Sequence, residues 1–196
     1  ERPSRGEILA TCPVECQKVD AELHITLERA CADPMLKHAL ASETGARALA
    51  YGAKNGEPYG RRQLLGTDGG EILLVAWAED VFCAPHDHGG AEGALYLYRG
   101  EFTERRYEWR GGRLVPSVER TITAPAWLRV GAGIIHDMKA RGEGLAVHFY
   151  QPAVGEMRVY DLARDRALTV TSSCGAWIPR DRSLIVDDSP LVAPRR

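Results

Sequence analysis

No apolar run in this sequence can cross a bilayer. The longest strongly hydrophobic stretch, Ile72 to Ala78, falls far short of the ~20 residues a spanning helix needs. Excess charge of one sign is lacking too. With 25 Lys and Arg, 27 Asp and Glu and a net charge of -2, the chain has no electrostatic basis for binding nucleic acid or a membrane surface. Cysteine is sparse, and its positions (Cys12, Cys16, Cys31, Cys83, Cys174) are odd in number and scattered. That argues against a disulfide framework and for a reducing, cytoplasmic setting, and no secretory signal is recognisable. Cys12, Cys16 and Cys31 with His24 and His38 match no standard zinc spacing, so ordinary thiols and surface or packing histidines are expected there. Repeats, low-complexity tracts, a nucleophile elbow, a phosphate loop and a dinucleotide fingerprint are also missing. Any chemistry has to come from elsewhere.

The 196 residues suit a single domain with appendages, monomeric by expectation. Residues 1–52 read as a helical segment packed on the β-rich part of the chain. Asp20 caps a stretch with Leu23, Leu27 and Ala30 at helical spacing, Asp33-Pro34 restarts a helix to about Leu40, and Ser42 opens another ending near Tyr51. Residues 53–171 read as mainly β, with short β-prone runs between Gly, Pro, Asn and Asp clusters. The runs are Arg61–Leu65, Glu71–Ala78, Val81–His88, Gly93–Arg99, Phe102–Trp109, Leu114–Ile122, Trp127–Val130, Ile134–Lys139, Leu145–Gln151 and Met157–Leu162. Hairpin turns are expected at Asp68-Gly69-Gly70 and at Arg110-Gly111-Gly112-Arg113. Such a series without intervening helices predicts an antiparallel barrel or double-sheet jelly roll. Glu101 to Arg110, dense in charge of both signs, reads as a solvated outer strand. Residues 172–196 form a proline-containing extension with no clear period, which wraps the barrel or trails off.

The histidines carry the chemical signal. In Pro85-His86-Asp87-His88, two imidazoles two apart on an extended chain face the same side, and Asp87 faces the other. Such a pair covers one edge of a metal and needs a third ligand. Gly133-Ile134-Ile135-His136 offers it, so His86, His88 and His136 read as the ligands of one mononuclear site. Ligand type alone does not choose iron over zinc, nickel or copper. Cys83, three before His86, is expected on the opposite strand face with no part in the chemistry. Trp77, Trp127, Tyr96 and Tyr98 read as packing residues.

His86-x-His88 followed by Gly93 and Gly100 resembles the first cupin motif, and Gly131-x-Gly133-x-x-His136 resembles the second. Most cupins place a metal-binding glutamate where this chain has Gly93. The resulting three-histidine pattern resembles the thiol dioxygenases of the cysteine dioxygenase family. Tyr59-Gly60-Arg61 is similar to that family's substrate-carboxylate motif, and His148-Phe149-Tyr150 to its His-x-Tyr strand. The resemblance implies a cupin barrel with N-terminal helices, Fe(2+) on His86, His88 and His136, and a small thiol and O2 as reactants. It further implies that Arg61 and Tyr59 bind substrate and that Tyr150 and His148 assist catalysis. L-cysteine is the first-choice substrate, with 3-mercaptopropionate and mercaptosuccinate as alternatives. Gly93 stands where animal members carry a cysteine cross-linked to the tyrosine, so Tyr150 should be unmodified. Ala146 replaces a serine often found before the His-x-Tyr histidine. A cupin with another metal and a different reaction, or a non-catalytic ligand-binding cupin, are the competing readings.

Overall fold

The computed structural model describes residues 56–67 and 69–194. The helices expected within residues 1–52 lie outside the described residues, as do Cys12, Cys16, Cys31, His24 and His38. Among the described residues the architecture is β throughout, apart from one short 3-10 turn at Arg182–Leu184. Strands β1 (Tyr59–Thr67), β2 (Gly70–Trp77), β6 (Ile135–Gln151), β3 (Glu92–Arg110) and β4 (Arg113–Thr123) pair side by side in that order, with β5 (Ala126–Val130) also on β3. Strands β7 (Glu156–Asp161), β8 (Arg166–Thr171) and β9 (Ile185–Pro190) form a second sheet. Every strand pairing is antiparallel. Inward residues of both sheets meet in one core, where Leu73, Val75, Leu95 and Phe102 pack with Val159, Leu168 and Val170. This is the cupin-type double sheet that the motifs imply. No helix among the described residues is long and apolar enough to cross a membrane.

Local sequence explains the strands that hold the site. In β2, period-two alternation sends Leu73, Val75 and Trp77 into this core, while Ile72, Leu74 and Ala76 enter a second cluster with Tyr96 and Phe149. The strand is therefore buried on both faces, which its continuous apolar sequence permits. The β3–β4 hairpin closes with Arg110 opposite Arg113, and Gly111 (φ 55) and Gly112 (φ 80) supply the two left-handed positions of a tight turn.

Four expectations need correcting. Gly93–Arg99 and Phe102–Trp109 are one strand of 19 residues, and Ile134–Lys139 merges with Leu145–Gln151 into one of 17. Ladder hydrogen bonding continues past the glycines, which mark register shifts near Arg99 instead of strand ends. Val81–His88 is not a strand, and within it only His86 pairs, by isolated bridges to His136 and Val159. Pro85 has no N–H for a ladder, although its carbonyl accepts from Tyr160 N–H at 2.8 Å. Beyond Met157–Leu162, the last β-prone run, the chain forms two further strands, β8 and β9. β9 is largely exposed, so burial leaves little alternation in its sequence.

Candidate metal centre

His86, His88 and His136 converge in the barrel interior, 7%, 2% and 2% exposed. Their candidate donor atoms all lie within 4.8 Å of one another. Reciprocal backbone bonds bring them together: His86 N–H donates to His136 O at 2.9 Å, and His136 N–H donates back to His86 O at 3.0 Å. Asp87 points away and ties down the intervening loop. Its Oδ1 accepts from Gly89 N–H at 2.9 Å and Arg158 N–H at 3.2 Å, and its Oδ2 accepts from Tyr160 Oη at 2.8 Å.

Hydrogen bonds define which ring nitrogens are free. His86 Nδ1 lies 2.9 Å from the Ala84 carbonyl. A carbonyl only accepts, so Nδ1 carries the hydrogen and Nε2 keeps its lone pair. His136 Nδ1 lies 3.0 Å from Glu104 Oε1, an accepting carboxylate oxygen, so Nδ1 carries a hydrogen there too. Both nitrogens of His88 are buried and lack any partner. Burial, and next the neighbouring His136, lower the His86 pKa to about 3. Burial, followed by His86 and His136, holds His88 well below the usual histidine range. Neutral rings are the form that binds metal. An unpartnered polar atom in the interior is costly, and an ion taking one His88 nitrogen would relieve that cost. The donor set fits a metal.

The remaining expected site residues line the same cavity: Tyr59, Arg61, His148 and Tyr150. Tyr150 stacks on His88, with ring centroids 5.2 Å apart, and its hydroxyl lies 3.1 Å from His148 Nδ1. Burial raises the Tyr150 pKa well above the ordinary phenol value and, with His136 and Arg61, lowers that of His148 to about 3, so both are neutral. Tyr59 Oη accepts from Ala176 N–H at 2.8 Å, leaving its own hydrogen free to donate. Arg61 Nη2 donates to the carbonyls of Ser172 and Cys174, the latter at 2.8 Å. Arg61 is thus no loose surface arginine but is clamped by the segment after β8. Glu71, which the sequence did not single out, also lines the cavity, and its Oε1 accepts from Val154 N–H at 2.9 Å. Gly93 faces the Tyr150 ring. A Cβ there would lie 2.7 Å from Tyr150 Cδ1 and would collide with the Phe149 carbonyl, so the close approach of these strands requires glycine.

Two further corrections concern β3 and the segment before His86. Glu101–Arg110 is not simply solvated, since Glu104 is 1% exposed beside the fully buried Phe102. Burial pushes the Glu104 carboxyl up, but its hydrogen bond to His136 and the positive charges around it hold it at about 2. Asp137, next to His136 and also fully buried, takes two bonds from Arg105 at 2.9 and 2.6 Å and one from Tyr107 Oη at 2.7 Å. Cys83 is not on an opposite face. It is buried, with Sγ 3.9 Å from His86 Nδ1 and accepting from Met138 N–H at 3.1 Å. The only advance signal for Glu104 and Asp137 was acidic residues within β-prone runs, which solvated strands share.

A family model described as cysteine dioxygenase type I matches residues 16–163. No curated protein matches the chain. Among solved structures, the chain is similar to a conserved protein with a double-stranded β-helix domain from Klebsiella pneumoniae, at 14% identity and TM-score 0.46, covering 56% of this chain and 84% of that one. It is similar to KdgF from Halomonas sp. at 16% identity and TM-score 0.41, over 52% of this chain and 86% of that one. An RmlC-like cupin from Shewanella frigidimarina is 17% identical with TM-score 0.43, over 52% and 82% of the two chains.

Proposed function

This chain belongs to the cysteine dioxygenase type I family, and on that footing we propose that it is a non-heme iron thiol dioxygenase. It converts a small carboxylated thiol to the sulfinate with O2. L-cysteine is the preferred candidate, and 3-mercaptopropionate and mercaptosuccinate are the alternatives. One observation carries the reading: a single buried cavity is lined by three convergent buried imidazoles, a clamped guanidinium and a hydrogen-bonded His–Tyr pair.

In this reading His86, His88 and His136 are the residues that would hold ferrous iron. The bound metal supplies the redox chemistry that lets thiol sulfur and dioxygen meet, and it lowers the thiol pKa. The chain's own residues bind, orient and protect. Arg61, held through Nη2, presents its other N–H groups to the substrate carboxylate as a planar fork. Tyr59 donates its free hydroxyl hydrogen to the same end of the substrate. His148 Nδ1 and Tyr150 Oη lie 3.1 Å apart; in this reading the ring is the Nδ1–H tautomer and donates to the phenol oxygen, which leaves the phenol hydrogen for reacting oxygen. Leu73, Val75 and Leu95 line the cavity and exclude bulk water. The S–H bond is lost as a proton, both atoms of O2 end on sulfur, and the electrons sulfur loses are those dioxygen gains. No separate reductant is required. A reducing cytoplasm suits such a substrate and the free thiols of Cys83 and Cys174.

The test is oxygen uptake by iron-loaded protein against a panel of thiols, with sulfinate measured as product. Uptake coupled to sulfinate from a carboxylated thiol is expected. Absence of uptake with every thiol would overturn the reading.

A further inference from the structure

The three imidazoles are not equivalently supported. His86 Nδ1 faces a neutral backbone carbonyl, and neither nitrogen of His88 has a partner. His136 Nδ1 alone faces a carboxylate, Glu104 Oε1 at 3.0 Å, with both side chains almost fully buried at 2% and 1% exposure. The other carboxylate oxygen, Oε2, accepts from Arg120 Nε at 2.6 Å, while Arg106 Nε lies 3.4 Å from Oε1. Register explains the arrangement. Glu104 is directly opposite Arg120 across the β3–β4 pair. On the other side it sits diagonal to His136, which pairs with Arg106 two residues along β3.

We propose that Glu104 is a positioning residue for the metal centre, holding His136 in the Nδ1–H tautomer and strengthening Nε2 as a donor, while Arg120 steadies the carboxylate. The inference rests on the reading of His86, His88 and His136 as metal ligands. A surface ion pair with Arg120 would need no burial of Glu104, since Arg120 is 44% exposed at the edge of the sheet. The buried position is explained by the other oxygen, which meets His136. A charged acceptor behind a ligand imidazole makes a stronger hydrogen bond than a neutral one and raises ligand basicity. His136 is thereby the ligand whose donor strength this chain sets with a side chain, and the setting is reached from the exposed edge strand through Arg120.

Full-length metal-free protein would be titrated anaerobically with ferrous ion and, separately, with Co(II). The variants are Glu104→Gln, Glu104→Ala and Arg120→Gln, and His136 ring nitrogens are followed by ¹⁵N NMR in the metal-free state. Glu104→Ala should lose about 10–100-fold in affinity for either ion, the usual cost of removing such a partner. Glu104→Gln, which keeps a neutral acceptor, should recover part of that loss, and Arg120→Gln should show a smaller loss than Glu104→Ala. The parent should carry hydrogen on Nδ1 of His136, and Glu104→Ala should populate the other tautomer. Parent-like Co(II) affinity in folded Glu104→Ala, or hydrogen on Nε2 in the parent, would overturn the proposal. Should Glu104→Ala fail to fold, the near-isosteric Glu104→Gln decides, and unchanged affinity there has the same force. A parent that binds neither ion would sink the metal reading by itself, while the His136 tautomer would still decide what Glu104 does.

Discussion

Replacing Arg61 with alanine separates substrate recognition from scaffolding, because the structure gives this side chain both opportunities. Its Nη2 anchors the Ser172 and Cys174 carbonyls, and the same side chain lines the cavity beside the histidines. Hydrogen bonds from a charged group contribute about 1.5–3 kcal/mol each. One of the two is solvent-exposed and contributes less, so Arg61→Ala should lower stability by roughly 2–3 kcal/mol. Breaking a buried guanidinium–carboxylate pair costs about 2–5 kcal/mol in addition, felt only by substrates that carry the carboxylate. At about 1.4 kcal/mol per factor of ten, kcat/KM for cysteine should fall some 30-fold to a few thousand-fold. Cysteamine, which has no carboxylate, should be a poor substrate of the parent and nearly indifferent to the change. Oxygen-electrode rates for both thiols, with thermal melting in parallel, make the comparison. Arg61→Lys should keep the charge but lose the fork, and recover only a minor part of the cysteine rate. Equal fractional losses for the two thiols would mean that Arg61 acts only by clamping the segment after β8. A parent-like cysteine rate in Arg61→Ala would refute carboxylate recognition altogether.

Substituting His136 with alanine should remove most metal content while leaving the barrel folded, because the ring faces the cluster and its backbone bonds to His86 remain; full iron occupancy by elemental analysis would exclude His136 as a ligand. Tyr150→Phe should retain metal and slow turnover, since it deletes only the hydroxyl that meets His148, and intact mass of the parent should show no thioether because Gly93 has no sulfur. Unchanged turnover would reduce Tyr150 to packing. The metal-free protein should be acid-sensitive. His86 and His148 are held near 3, so between about 6.5 and 3 the unfolded chain binds protons that the folded one refuses. Stability is then complete above about 6.5 and falls as pH drops, by about 1.4 kcal/mol per pH unit for each histidine. Urea unfolding of metal-free protein across this range gives the slope, and a flat profile would contradict neutral buried rings.

What the sequence determines by itself is whatever short-range geometry dictates. His86 and His88 share a side because extended chains alternate, and Gly111-Gly112 turns the chain because both positions need positive φ. The β-prone run of β2 is legible as a strand, but its burial on both faces and the close backbone approach that requires glycine at 93 belong to the folded chain. Other features depend on partners far away along the chain. Glu104 looks like any charge on a solvated strand until His136, 32 residues later, supplies a reason to bury it. Arg61 stands out in sequence only through its resemblance to a substrate-carboxylate motif, and the carbonyls that hold it lie more than a hundred residues away. Regular alternation would turn Cys83 away from His86, but the segment through Pro85 makes only isolated bridges, so the sulfur lies beside His86. β9 is not legible in the sequence because its residues gain little burial and carry no alternation. Local backbone geometry repeats with a fixed period and can be read residue by residue. Which charged side chain becomes buried is decided by the free energy of meeting a distant partner, and only the folded chain brings the two together.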